Sequence, residues 1–164
     1  MGIIVLSAGG DKMHETIRCG AMSVTFLKTR HETGGVFDLF ELTIPPLVHV
    51  AIPHIHRKYD ETIFGLDGHM TWTLGDKPNP VSKGVVLHIP RGVPHFYENR
   101  HHTTARILCL QTPGVMGPEY YQEIASLYSE DGIADIASVA ATMSRYGIVP
   151  VTHNKHLTPI GPAA

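Results

Sequence analysis

The chain has 164 residues, 43% hydrophobic and 17% charged, with a net charge of −2 when its histidines are counted neutral. That length suits one domain with its own core. The charge excludes the basic character of a nucleic-acid binder, and no polybasic stretch addresses a membrane surface. Cys19 and Cys109 lie far apart in no metal-type spacing and read as reduced thiols of a cytoplasmic protein. The unusual count is histidine: twelve, more than the six tyrosines and five phenylalanines together.

The opening "MGIIVLSAGG" is apolar, but it has no charged leader and is too short for a signal or a membrane span, so a first strand is expected there. "MSVTFLKT" (22–29) and "VFDLFELTI" (36–44) are strand-like, with "TRHETGG" as the turn between them. Pro45-Pro46 stops the second strand, since proline cannot donate into a ladder. "TIFGLDGHMTWTLG" (62–75) reads as a hairpin turning near Leu66-Asp67-Gly68, followed by a loop, "DKPNPVSKG" (76–84). "VVLHIP" (85–90) and "ARILCLQTP" (105–113) complete a series of short strands with the spacing of a sandwich or barrel.

The texture changes at Gly117. "PEYYQEIASLYSEDG" begins with Pro118 and Glu119, suited to a helix first turn, and sets Tyr121, Ile124, Ala125 and Tyr128 at helical spacing. In "ADIASVAATMSRYG", Ile136, Val139, Ala140 and Met143 share one face, and Gly147 closes the helix. The expectation is a single domain over 1–150, with a core barrel at about 20–112, helices at about 117–147 packed on it, and an extended or disordered tail at 151–164.

The chemistry concentrates in "PHIHRKYDETIFGLDGHM" (53–70). Side chains two apart on a strand share a face, so His54 and His56 point together with Ile55 opposite. Glu61 follows the charged bend "RKYD" and starts the next strand, where its carboxylate can return to the same place. Two imidazoles and a carboxylate make a facial set that leaves positions open on a divalent transition metal. A closed structural zinc site would be thiolate-rich, and neither cysteine is near. A further ligand is offered by "GVVLHIPRGVPHFYEN" (84–99), where Gly92 permits a tight turn and Pro94 stiffens the approach to His95.

These residues resemble the two motifs of the cupin superfamily. The first (histidine-x-histidine, then glutamate, then six residues to glycine) is filled by His54, His56, Glu61 and Gly68. The second is filled by Gly84, Pro90, Gly92, His95 and Asn99. One departure is Val48, where the family has a glycine six residues before the first histidine. The resemblance covers residues 35 to 112, and the helical tail is similar to that of small single-domain cupins labelled quercetin dioxygenase-like. It implies an all-β cupin barrel (a double-stranded β-helix of the jelly-roll type) with a C-terminal helical appendix and one divalent ion, Fe, Mn, Ni, Co or Zn. His54, His56, Glu61 and His95 would hold the ion, and a homodimer is implied.

The function implied is a metal-dependent oxygenase cleaving or oxidising a small enolic or phenolic substrate with O₂, such as a flavonol, in which Glu61 is the catalytic base. The residues leave two other classes open: a metal-dependent isomerase, cyclase or epimerase of a carbonyl or sugar-like substrate, and a non-enzymatic small-molecule-binding barrel. A phosphorylated substrate would find only Arg57, Lys58, Arg91 and Arg106 nearby. Glu61 itself can be ligand, base or an ion-pair partner of Arg57 or Lys58. Tyr97, two residues from His95, faces inward on a regular strand and either holds substrate or packs. Phe64 and Trp72 belong to the core or stack on an aromatic substrate. His69 and His49 are pocket-lining polar groups whose facing depends on register. His88 reads as a structural histidine and His101-His102 as a solvated turn, while Tyr120, Tyr121 and Tyr128 pack a helix on the barrel and lid its mouth. Because ligand histidines must be neutral, metal affinity is expected to fall as pH drops through the imidazole range.

Overall fold

The structure, a computed structural model, describes residues 14–49, 52–128 and 135–151, and the expectations for the opening stretch and the tail beyond residue 151 lie outside them. In chain order the elements are β1 (Thr16–Cys19), β2 (Met22–Lys28), β3 (Asp38–Ile44), β4 (Val48–His49), β5 (His54–His56) and β6 (Asp60–Asp67). There follow β7 (His69–Leu74), β8 (Lys77–Ser82), β9 (Val86–Ile89), β10 (His95–Asn99) and β11 (Ala105–Thr112). Two helices, α1 (Gly117–Ser126) and α2 (Ile136–Arg145), precede the last strand, β12 (Ile148–Pro150).

The strands form two antiparallel sheets. One runs β1-β2-β3-β11-β6-β9, and the other runs β12-β5-β10-β7-β8 with β4 added on β10. Alternation is strict where a strand has one face inward: β3 reads buried, half-buried, buried throughout, and β11 buries Ala105, Ile107, Cys109 and Gln111. Between the sheets lie Phe40, Leu42, Ile44, Ile63, Met70, Trp72 and Ile107, each at most 2% exposed. Each of the large apolar side chains among them stabilises the fold by about 1.5–3 kcal/mol. Phe26, Phe40 and Tyr121 close a ring cluster with centroids 5.2 to 5.9 Å apart, which seats α1 on the first sheet. The Asp135 side chain accepts from the amides of Ala137 and Ser138 and starts α2, and Gly147 (φ +77°) turns the chain into β12.

Two local expectations change. Residues 76–84 are not a loop: β8 pairs with β7 along its length, from Lys77 opposite Leu74 to Ser82 opposite His69. Pro78 and Pro80 are tolerated because β8 is the outermost strand, where a missing N–H leaves no ladder bond unmade. Nor do β6 and β7 make a hairpin. β6 pairs with β11 and β9, β7 with β10 and β8, and the chain crosses between sheets at Gly68. That corner needs glycine, because φ is +69° and a Cβ would lie 2.4 Å from the carbonyl oxygen of Thr104. No helix among the described residues is long and apolar enough to cross a membrane.

Candidate metal centre

β5 and β10 lie antiparallel with His54 directly opposite His95, and the two-residue period of β5 brings His56 to the same face as His54. All three imidazoles are buried, and their ring centroids are 4.5 to 5.0 Å apart. One nitrogen of each lies within 4.8 Å of the other two. The loop before β10 is tied to the same place by the Gly92 amide, which donates to the carbonyl of His56 at 2.8 Å.

Two of the tautomers are fixed by neighbouring carbonyls. His54 Nδ1 donates to Ile52 O at 2.7 Å, and His95 Nδ1 donates to Val93 O at 2.9 Å. A carbonyl only accepts, so the Nε2 of each neutral ring is left as a lone pair. His54 Nε2 lies 3.1 Å from His56 Nε2, and His95 Nε2 is buried without a hydrogen-bond partner. His56 can satisfy His54 by donating from Nε2, but His95 Nε2 and His56 Nδ1 are then left buried without partners, and a divalent cation facing the three rings gives the His95 lone pair the partner it lacks. Orientation of ligand imidazoles by carbonyl acceptors is the second layer that metal sites use. The three residues therefore fit the ion that the sequence implies.

Burial also sets their charge. It pushes His54 down to about 3, with repulsion from His95 adding to it. His56 is driven down by burial and then by His54 and His95, and His95 is lowered by burial. All three are neutral at neutral pH, the form that ligates. The neutral form persists well below the ordinary imidazole range, so the acid loss of affinity moves to lower pH than the unperturbed value suggests.

Glu61 stands beside this group. Its carboxylate, on β6, reaches to 3.8 Å from His95 Nε2 with Oε2, while Oε1 accepts from Gln111 Nε2 at 3.2 Å. It is not among the donors that all lie within 4.8 Å of one another. Burial raises its carboxyl to about 7, with the Gln111 hydrogen bond pulling back. Its partner is Gln111 rather than Arg57 or Lys58, both of which are exposed. His54, His56 and Glu61 line one side of a cavity of about 670 Å³, counted with its open mouth, and His95 lies behind them. The walls are aromatic, thioether and aliphatic, among them Tyr97, Tyr120, Tyr121, Tyr128, Met22 and Met116, and among the described residues no lysine or arginine lines the cavity.

Of the other predicted residues, Tyr97 lines the cavity, its ring stacked on Trp72 with centroids 4.5 Å apart and its hydroxyl 3.9 Å from Met22 Sδ. Trp72 is fully buried behind it and does not reach the cavity. Phe64 is half-buried on the face of β6 opposite Glu61 and Ile63. His69 is exposed, its ring against that of His101 at 5.2 Å. His49 pairs through β4 with Glu98, and its side chain lies outside what is described. His88 is exposed and shares a 2.9 Å hydrogen bond with the hydroxyl of Thr62. Tyr120, Tyr121 and Ile124 of α1 form the outer wall of the cavity.

Two motif positions prove architectural. Asn99 is fully buried, with Nδ2 donating to Ile44 O, Pro45 O and Thr103 O and Oδ1 accepting from the His101 amide. It pins two loops and stays off the ion site. Val48, where the family has glycine, is a buried β4 residue opposite Asn99. Sequence reasoning missed Gln111 and the methionines of the cavity. The sequence signal for Gln111 was its place in the inward row of "ARILCLQT", where every other member is small or apolar.

Residues 40–111 match the Cupin domain family. An uncharacterized protein of Methanocaldococcus jannaschii is 30% identical over 79 residues, 48% of this chain and 63% of that protein. A solved sugar phosphate isomerase from a cupin superfamily, from Silicibacter pomeroyi, aligns at 21% identity and a TM-score of 0.51, over 57% of this chain and 60% of its own. A structure described as a predicted oxalate decarboxylase, from Thermotoga maritima, aligns at 20% identity and 0.55, over 61% and 91%. The chain thus spans less than two thirds of the archaeal relative and of the isomerase. The structural likenesses show the fold, a cupin barrel with C-terminal helices, and with the family match they support the cupin superfamily.

Proposed function

We propose that this cupin barrel is a metal-dependent dioxygenase of a small, neutral enolic or phenolic substrate. The observation that carries the proposal is the convergence of three buried, neutral imidazoles beside a carboxyl group of raised pKa, at the side of an aromatic cavity that no described lysine or arginine lines. His54, His56 and His95 would hold the ion, and Fe, Mn, Ni, Co and Zn all suit an imidazole set. When bound, it supplies Lewis-acid polarisation of the substrate oxygen and, for a redox-active metal, one-electron chemistry toward O₂. A dioxygenase places both atoms of O₂ in its products, so the substrate is the reductant and no further one is required.

The remaining work belongs to side chains. Glu61, balanced near neutral pH by its burial, takes the acidic proton of the enol or phenol on Oε2, while Gln111 keeps Oε1 occupied. Tyr97, Tyr120 and Tyr121 give the substrate ring flat apolar surfaces and keep bulk water from the deprotonated form. A phosphorylated substrate of the kind the isomerase neighbour's name implies is disfavoured. Among the described residues no lysine or arginine faces the cavity, Arg91 is paired with Asp60 and Arg106 with Glu41. The rival reading, an isomerase using Glu61 for proton transfer alone, is favoured by the same raised carboxyl. A homodimer joined through the open sheet edges belongs to the proposal, with light scattering as its check.

Protein purified without a metal-affinity tag is analysed for metal, reconstituted anaerobically with each ion, and given a flavonol or catechol in an oxygen electrode. Metal-dependent O₂ uptake, abolished in His54→Ala, is expected. Substrate conversion at the same rate without O₂ establishes the isomerase instead, and failure to retain any ion leaves a binding barrel.

A further inference from the structure

We infer that Gln111 is a positioning residue that holds the Glu61 carboxylate off the metal in the resting protein and so keeps it available as a base. This rests on the metal-dependent reading above, and three observations lead to it.

The first is register. β11 lies between β3 and β6, and Gln111 is directly opposite Asp38 on one side and Glu61 on the other. Asp38 has both oxygens engaged by backbone amides, Oδ1 by Arg30 at 2.5 Å and Oδ2 by Gly117 at 3.1 Å. The carboxamide therefore has one carboxylate left to serve, and its Nε2 donates to Glu61 Oε1. When Glu61 is ionised it only accepts, and the amide N–H end of Gln111 is the end that serves it.

The second is cost. Gln111 is 1% exposed and is the polar member of the inward row Ala105, Ile107, Cys109, Gln111. Its carbonyl oxygen is buried with no hydrogen-bond partner among the described residues. An apolar side chain of similar shape would avoid that loss, so the position gives up stability that packing alone would keep. What the amide obtains in return is its grip on Glu61.

The third is the outcome at Glu61. With Oε1 tethered, the carboxylate offers a single oxygen toward His95, and it stands outside the mutual 4.8 Å group formed by the three histidines. Gln111 thereby separates two uses of one side chain, anchoring an ion and carrying a proton.

The test uses Co(II) alone as the probe, on the full chain, with visible absorption and equilibrium dialysis as readouts in the parent, Glu61→Gln, Gln111→Met and the double variant. Parent and Glu61→Gln should share the same Co(II) bands, because the carboxylate is not a ligand at rest. Gln111→Met, which keeps the length of the side chain and removes the donor, should shift the bands and tighten Co(II) at least fivefold as the freed carboxylate binds. Removing Glu61 as well should restore the parent spectrum. With substrate, Gln111→Met should lower kcat about tenfold with KM unchanged. Identical bands and affinity in Gln111→Met and parent overturn the assignment. Where Gln111→Met does not fold, Glu61→Gln decides: bands that differ from the parent's show a carboxylate already bound, and the assignment falls. A parent that shows no Co(II) band overturns the metal reading itself and this inference with it.

Discussion

Acidifying the metal-free protein from pH 7 to pH 5 should destabilise it, through the histidines of the site and before any ordinary carboxylate titrates. An unfolded-chain histidine has its ordinary value of 6.5, whereas burial holds His54 at about 3 and His56 lower still. As pH falls below 6.5 the unfolded chain takes up protons that the folded site refuses, so stability is present above that value and is lost below it. Over this interval each histidine held neutral costs about 1.9 kcal/mol. Glu61 has the opposite sign. Its folded value is raised from 4.5 to about 7, so the fold binds a proton that the unfolded chain does not, returning about 2 kcal/mol on acidification. The net loss is about 2 kcal/mol from His54 and His56 with Glu61, and His95, lowered by burial, adds to it in the same direction. Urea unfolding in chelator should show the midpoint falling by at least about 1 M at a slope near 2 kcal/mol/M. Asp60, lowered to about 2 by Arg91, loses its contribution only below about pH 4 and does not enter this window. A His54→Gln, His56→Gln variant should lose most of this acid destabilisation, since only His95 then opposes Glu61. A parent midpoint that is unchanged or higher at pH 5 refutes the claim that these imidazoles are kept neutral by burial.

Glu61→Gln should lower O₂ uptake about 10²–10⁴-fold while metal content stays at the parent level, read by oxygen electrode and elemental analysis together. Loss of the ion from that variant would make Glu61 an obligatory ligand. Trp72→Ala removes a fully buried ring that stacks on Tyr97 and should cost about 3–5 kcal/mol in urea unfolding. Gly65→Ala should destabilise by about 1–3 kcal/mol or more, because its Cβ would lie 2.0 Å from the backbone oxygen of Ser82, and parent-like stability would contradict that close approach. Arg57→Ala and Lys58→Ala should leave KM unchanged within twofold, and a clear rise in steady-state kinetics would point to an anionic substrate instead.

Local rules made much of this protein legible in its sequence. The spacing of His54 and His56 places both on one side of any strand, and the second motif supplies His95 whatever its partner strand. The switch from a two-residue to a 3.6-residue period at Gly117 marks where strands give way to helices. Pairing was not local. Gly68 reads equally well as a hairpin turn or as a corner between sheets, and only the partners β11 and β10 decide for the corner. The prolines of β8 argue for a loop until the strand is seen to lie at a sheet edge. The facing of Phe64, the exposure of His69 and the meeting of Gln111 with Glu61 depend on register across strands far apart in the chain. A side chain's face follows from its own strand's period, but what lies on that face is chosen by packing between strands, and no short stretch of sequence contains that choice.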